Sequence, residues 1–443
     1  MISKRYLSNP WLICIPILLI FLLDVFLLGK NQPLSDGIRY WKTADDILEG
    51  FKMTPVLNGY LLVNGPLYPL ILAFFKGIGF SVKACIYLNA FFLYIGFTFF
   101  FKTITQFVSL TKGIVATYVL VFIDPFLFYW GAKLYSEPLA ILWVSLLLYY
   151  SLQLFNNPKS NAIFKVSAIL TFLILTRVIF AYVTVVFLVI GLIGMIFFKQ
   201  EFYKELSKLG ILSLLFCLPY LIFTYSITNK IFYWSSNGGL LLYWTASPHE
   251  EDMGEWHTLQ INHDHFAARY NTFSGLDSLY LRNVNEVIIN KINNNHKAFA
   301  ESLRGKNILE SDDALKEKAL SNIKEHPKAF FKNWLLNIGR LLVGIPHAIY
   351  HKPPFSPIFT LLNTVKSSFL ICFLFTCVIL FVGRPIVQNL YLFWILILLI
   401  IYLGGQSLLS VQSQRFMLPI YPLILFFITV VLNNFIGIKK NNF

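Results

Sequence analysis

The segment Ser35-Asp36-Gly37-Ile38-Arg39-Tyr40 sets a carboxylate and a guanidinium three residues apart, on one face if the segment is helical. A carboxylate beside an arginine stays ionised at neutral pH. Such a pair suits a site in which Asp36 accepts a proton from a hydroxyl while Arg39 holds a phosphate. The plain alternative is an ion pair exposed at a membrane rim, an arrangement that is common and weak. Asp124, in Phe122-Ile123-Asp124-Pro125, has apolar residues on both sides and needs a partner. Glu137, in Tyr135-Ser136-Glu137-Pro138, opens a helix, where the helix dipole alone already favours an acid. Arg177 and Arg415 fall at helix ends, where snorkelling is the simple account of each. Three acids and three arginines are thus expected at one membrane face, as a lipid-phosphate substrate reached from the bilayer would require.

A second donor set is His263-Asp264-His265, with His249, His257, Glu250, Glu251, Asp252 and Glu255 nearby. It holds enough donors for zinc or manganese, so a divalent metal is the one cofactor suggested. The spacing matches no standard metal motif and a solvated polar loop explains it more simply, so no metal ligand is assigned. Asp24, inside an apolar run, reads as a structural polar contact or as part of the acidic cavity. The cysteines Cys14, Cys85, Cys217, Cys372 and Cys377 all lie in apolar stretches and read as small core residues.

The elements that must position these side chains follow from composition. Of 443 residues, 57% are apolar and 13% charged, against about 25% charged in an ordinary soluble domain. One water-facing globule could not carry that balance without very large apolar patches, which excludes a soluble enzyme. The net charge of +14 does not indicate nucleic acid, because the basic excess sits in short loops and at helix ends while the polar stretch 227–355 nearly balances its charges. Runs of about 20 apolar residues are what a spanning helix needs. Candidates fall at 11–29, 84–101, 113–128, 135–155, 163–177, 181–198, 209–227, 367–382, 390–403 and 416–432. The expected architecture is therefore an all-α polytopic membrane protein of about ten transmembrane helices, with short interfacial helices at 66–80 and 333–345.

Lys102, Lys112, Lys159, Lys199, Lys204 and Lys208 alternate consistently with a cytoplasmic N-terminus, which puts the acidic segments on the extracytoplasmic face. The expected units are an N-terminal transmembrane catalytic module at 1–228 with its first external loop at 30–65, an extracytoplasmic domain at 229–357, and C-terminal transmembrane helices at 358–443. Within the external domain, 312–331 reads as a helix with Ser311 as its N-cap.

These residues resemble the GT-C superfamily of integral-membrane glycosyltransferases, in particular the branch with protein O-mannosyltransferases and the bacterial aminoarabinose transferase that acts on lipid A. The likeness runs through Asp36-Gly37-Ile38-Arg39-Tyr40, Gly65-Pro66-Leu67-Tyr68-Pro69, Asp124-Pro125, Ser136-Glu137-Pro138 and Thr176-Arg177. It continues through Ser236-Asn237-Gly238-Gly239, the helix with Ala319, Ile323 and His326-Pro327, and Arg415-Phe416 with Pro419 and Pro422. The resemblance implies a GT-C-like fold in the bacterial inner membrane with an external catalytic face. It implies inverting transfer of a sugar from a polyprenyl-phosphate donor to a lipid, glycan or protein acceptor. By that analogy Asp36 is the catalytic acid of the first loop, Asp124 a second acid of the cavity, and Arg39, Arg415 and Arg177 the donor-phosphate contacts; Glu137, Tyr40 and Tyr68 belong to the cavity. Two departures stand out. Relatives of the lipid A enzyme carry a lysine where this chain has Gly65, and members with paired acids in the first loop differ in having an acid where Gly37 follows Asp36. The rival from another class is a transporter or flippase of lipid-linked sugars, against which stand the large external segment and the lack of visible repeat halves, broken helices or midplane charges.

Overall fold

The computed structural model describes residues 9–34, 36–50, 62, 64–156, 161–198, 201–255, 286–343, 390–409 and 414–441, with scattered positions between 367 and 377. Among these residues the secondary structure is helical throughout. The chain runs through α1 (Pro10–Leu28), α2 (Asp36–Leu48), α3 (Leu67–Gly77), α4 (Val82–Ile104), α5 (Leu110–Phe122), α6 (Phe126–Gly131), α7 (Glu137–Asn156), α8 (Ala162–Thr176), α9 (Ile179–Phe197), α10 (Glu201–Phe216) and α11 (Leu218–Thr228). It continues with α12 (Gly238–Thr245), α13 (Glu286–Ser302), α14 (Ile308–Glu325), α15 (Pro327–Val343), α16 (Leu390–Leu408), a 3-10 segment (Gln414–Ile420) and α17 (Tyr421–Asn441).

Among the described residues six helices are long and apolar enough to cross a membrane, and a seventh span is available if α10 and α11 count as one. The protein is a multi-pass, all-α membrane protein. Each spanning helix keeps its backbone hydrogen bonds within itself, which a hydrocarbon interior demands. The span expected at 209–227 is corrected: it is a pair bent by 53° at Cys217, with Pro219 seated in the first turn of α11, where a missing N–H costs nothing. The run 113–128 also divides, because Asp124-Pro125 ends α5 and starts α6. That break and the short α8 leave 113–128 and 163–177 without a single helix of full spanning length among the described residues. The run 367–382 lies almost wholly outside the described residues.

The central helices α4 and α7 pack along each other, with α1 on the far side of α4 and α8 on α7. Phe21, Phe97, Phe100, Phe101, Val144 and Phe426 fill this main core. Gly96 lets α4 and α7 approach closely: a Cβ there would sit 3.1 Å from the Leu142 Cα. A second apolar cluster, with Tyr40, Ala44, Tyr68, Leu72 and Leu134, fastens α2 and α3 onto the helix ends. The short α3, Leu67–Gly77, forms within the segment 66–80 expected to be a short helix.

The polar third of the chain builds its own small core from Tyr243, Trp244, Ile292, Leu315 and Ala319. Its main helix, α14, starts earlier than expected. Asn307 rather than Ser311 is the N-cap, in a reciprocal capping box with Glu310, and the helix stops at His326 because Pro327 opens the next one. The interspersed polar residues of α15 face inward. Asn337, fully buried, lies 3.2 Å from Thr245 Oγ1, Gly254 O and Ser407 O, and Arg340 donates to Asn337 Oδ1 at 2.6 Å. These bonds tie the polar unit to α16 through the buried face of α15, while Phe331 and Leu335 leave its other face exposed.

Candidate active site

Four separate stretches converge on Asp36. The first turn of α2 carries Asp36 and Arg39, whose i,i+3 spacing on the helix brings the guanidinium onto Asp36 Oδ1. Arg415, at the head of the 3-10 segment, takes the other carboxylate oxygen, Oδ2, from 379 residues away in sequence. Its Nε is also 3.7 Å from Oε1 of Glu137, the first residue of α7. That same oxygen accepts from Arg177 Nη2 at 2.6 Å, and Arg177 is the residue that ends α8. The result is a continuous chain, Arg39, Asp36, Arg415, Glu137, Arg177, in which three guanidiniums face two carboxylates and leave one positive charge over.

Glu137 is 1% exposed, while Asp36 and the three arginines keep about 15% of their side chains accessible, at 16%, 15%, 16% and 14% for Asp36, Arg39, Arg415 and Arg177. The deep carboxylate is therefore structural, and the shallow one is where a solute can reach. Burial by itself would raise the pKa of Asp36, but the guanidiniums of Arg39 and Arg415 outweigh it and hold the carboxyl well below the usual range. Asp36 is ionised at every physiological pH.

An aromatic shelf lines the cluster. The Arg415 guanidinium lies 5.4 Å from the Trp130 ring, 5.1 Å from Tyr135 and 5.2 Å from Phe416, and Arg177 lies 5.6 Å from Phe416 on the other side. Tyr40 is buried with its hydroxyl 3.0 Å from Ser136 Oγ and its ring edge-on to Tyr68 at 5.1 Å. Tyr68 in turn donates to Asn89 Oδ1 at 3.4 Å. Asn89, an amide fully buried in α4, donates to the carbonyls of Gly131 at 3.1 Å and Lys133 at 2.6 Å. It thereby pins the turn 132–136 that delivers Lys133, Tyr135, Ser136 and Glu137. Gly37 permits α2 to lie against the same turn, since a Cβ there would be 3.2 Å from Leu134 O.

Six of the residues singled out from sequence, Asp36, Arg39, Arg415, Arg177, Glu137 and Tyr40, come together here, with Tyr68 directly behind Tyr40. Asp124 is engaged as a helix cap: Oδ1 accepts from the Phe126 amide at 2.9 Å, starting α6. Asp24 keeps one buried oxygen without a hydrogen-bond partner on α1. Gly65 lies against α8, where a Cβ would fall 2.3 Å from Leu175 O and 2.9 Å from the Thr176 carbonyl. No side chain fits at that crossing.

Of the histidine-rich set, His257, His263, Asp264 and His265 lie outside the described residues. Among the described residues no group of three or more His, Cys, Asp or Glu could hold a metal ion. Asp252 is committed elsewhere: its Oδ2 accepts from Ser247 and lies 2.6 Å from His296 Nε2, and His296 Nδ1 is 2.5 Å from the Tyr243 hydroxyl. Sequence reasoning missed Asn89, Trp130, Lys133, Tyr135 and Ser136. A signal existed for Asn89, the one amide in the apolar run 84–101.

No protein-family model matches the chain, and no curated protein matches it. A solved structure that resembles it is the crystal structure of ArnT from Cupriavidus metallidurans bound to undecaprenyl phosphate, with 12% identity, 95% of this chain and 76% of that chain covered, and a TM-score of 0.39.

Proposed function

We propose that this membrane protein is a glycosyltransferase that moves a sugar from a polyprenyl-phosphate donor to an acceptor hydroxyl on a lipid, glycan or protein at the extracytoplasmic face. The observation that carries the reading is the accessible carboxylate of Asp36 clamped between Arg39 and Arg415 at the end of a helix bundle that crosses the membrane. The donor's lipid stays in the bilayer while its phosphate and sugar reach the bundle's edge, so no nucleotide-binding fold is required.

The reaction is a single displacement. The acceptor oxygen attacks the anomeric carbon, its proton passes to a base, and the bond from that carbon to the phosphate oxygen breaks with its electrons left on the phosphate. The sugar is transferred with inversion, and the phosphate goes from one negative charge towards two. Arginines aimed at that oxygen stabilise the charge as it develops.

Asp36 is the base, and its resting contacts dictate when it can act. With a guanidinium on each oxygen it is a poor proton acceptor. An arriving phosphate competes for the same guanidiniums; as Arg415 or Arg39 turns to it, Asp36 loses a partner and gains basicity. Donor docking thus switches on the base, so Asp36 becomes basic only when a donor is bound. Arg177 remains on Glu137, which holds the cluster's floor.

A transfer assay in detergent with radiolabelled polyprenyl-phosphate sugars tests the reading. Transfer without a sealed membrane supports it; sugar movement that appears only in sealed vesicles replaces it with a transporter.

A further inference from the structure

The three arginines of the cluster are already answered by carboxylates, so a phosphate must displace an acid to reach any of them. One cation beside them is different. Lys133, in the turn between α6 and α7, has no carboxylate within ion-pair distance among the described residues. Its ammonium sits 3.6 Å from the centre of the Tyr129 ring and 5.2 Å from that of Trp130. Trp130 is also the ring over which Arg415 lies at 5.4 Å. Lys133 and the guanidinium that holds Asp36 therefore share one indole as a neighbour.

The backbone makes this placement deliberate. Lys133 O accepts from the buried Asn89 amide at 2.6 Å and from the Tyr135 N–H at 2.9 Å, so the backbone from which the side chain departs is fixed. The side chain is part-buried. Burial, with Lys30 and Arg415 nearby, brings the Lys133 pKa down to about 8. An ammonium held in that setting with only aromatic faces for company is a charge awaiting an anion, since a ring quadrupole compensates a cation far less than a carboxylate or phosphate does. Lys30, exposed just beyond the end of α1, adds a further cation on the approach.

We propose that Lys133 is a phosphate-binding residue, whose ammonium takes the anionic headgroup of a polyprenyl-phosphate lipid one indole away from Asp36 and Arg415. It rests on the donor class proposed above, and it adds the residue that first receives the phosphate. Lys133 adds a positive charge beside the arginines, which favours the departing phosphate with its two negative charges over the intact diester with one.

The test measures binding, not turnover. The full-length protein in detergent is titrated with undecaprenyl phosphate, with undecaprenol and with inorganic phosphate, for the parent chain and for Lys133→Met, Lys133→Gln and Lys133→Arg. Losing one charged hydrogen bond predicts that the Met and Gln variants bind undecaprenyl phosphate about 10- to 100-fold more weakly. Undecaprenol binding is expected to stay unchanged, and Lys133→Arg to retain most of the phosphate affinity. Unchanged undecaprenyl phosphate binding in the Met or Gln variant overturns the proposal, as does an equal loss of undecaprenol. If inorganic phosphate binds the parent chain as tightly as the lipid does, the lipid assignment is overturned in favour of a free-phosphate site. Lysine-dependent lipid-phosphate binding without any sugar transfer would instead remove the transferase reading and leave this inference standing.

Discussion

Replacing Asp36 by Asn separates the two jobs assigned to that residue. The amide keeps the shape of the carboxylate but removes its charge, so Arg39 and Arg415 lose the partner that both now hold. Within the chain of five charges, three guanidiniums would then face Glu137 alone. If Asp36 is the base, transfer falls by about 10²- to 10⁴-fold, the usual contribution of general-base catalysis. Phosphate affinity moves the other way. In the parent protein the lipid phosphate must break a charged hydrogen bond worth about 1.5–3 kcal/mol to recruit one guanidinium, and in the variant it need not. Binding of undecaprenyl phosphate is therefore expected to tighten, by roughly tenfold for one released arginine. The assay pairs single-turnover transfer from a labelled donor with equilibrium binding of the lipid phosphate, on protein whose melting in detergent has been checked. The cluster keeps about 15% exposure at Arg39 and Arg415, so water can solvate them and the melting temperature should drop only modestly. Full transfer by the Asn variant refutes Asp36 as the base. Transfer and phosphate binding lost in equal measure refute the competition between acid and phosphate for the arginines.

Three further expectations concern how the site is held. Gly65→Ala places a methyl 2.3 Å from Leu175 O, so one backbone must move, and overpacking of this kind costs about 1–3 kcal/mol; thermal unfolding in detergent reads it, and an unchanged melting point would show that the segment does not cross α8 so closely. Asn89→Leu removes both bonds to the turn 131–133 and is expected to destabilise by roughly 1–3 kcal/mol while lowering transfer further than Asn307→Ala, a cap change of about 1 kcal/mol in the polar unit; equal effects on transfer would mean the turn is not pinned by Asn89. The carboxyl of Asp36 is depressed, so its ion pairs contribute fully above the ordinary carboxylate pKa of about 4 and are lost as pH falls from there through the folded value. The parent protein should accordingly lose more stability below about pH 4 than Asp36→Asn does, and parallel acid-unfolding curves would contradict the pairing.

How far the site could be read in advance differs from residue to residue. Asp36 and Arg39 were legible because helix spacing alone puts them together. Arg415, Glu137 and Arg177 could be named as charges at helix ends, but their pairing depends on which ends meet. Asp124 stands in apolar surroundings and its Oδ1 caps the start of α6, a local role that Asp124-Pro125 allows from sequence alone. Lys133 was overlooked although it is the only lysine between Asp124 and Glu137, on the face the positive-inside pattern leaves poor in basic residues. Asn307 displaced Ser311 as a cap because a reciprocal partner, Glu310, stands three residues on.

Composition and pattern by themselves determined the class of molecule. A chain with 57% apolar residues in runs of spanning length has no stable form in water, and hydrocarbon admits helices because they satisfy their own backbones. These are properties of each segment taken alone, so they are written in local sequence. The candidate site is not local. Whether Arg415 neutralises Asp36 or some other acid is set by the packing of the 3-10 segment against the start of α7, and whether Lys133 points at a carboxylate or at Tyr129 is set by an amide on a different helix, Asn89. Charge interactions fall off over a few ångströms while the residues concerned lie up to 379 positions apart, and only the tertiary structure converts one distance into the other.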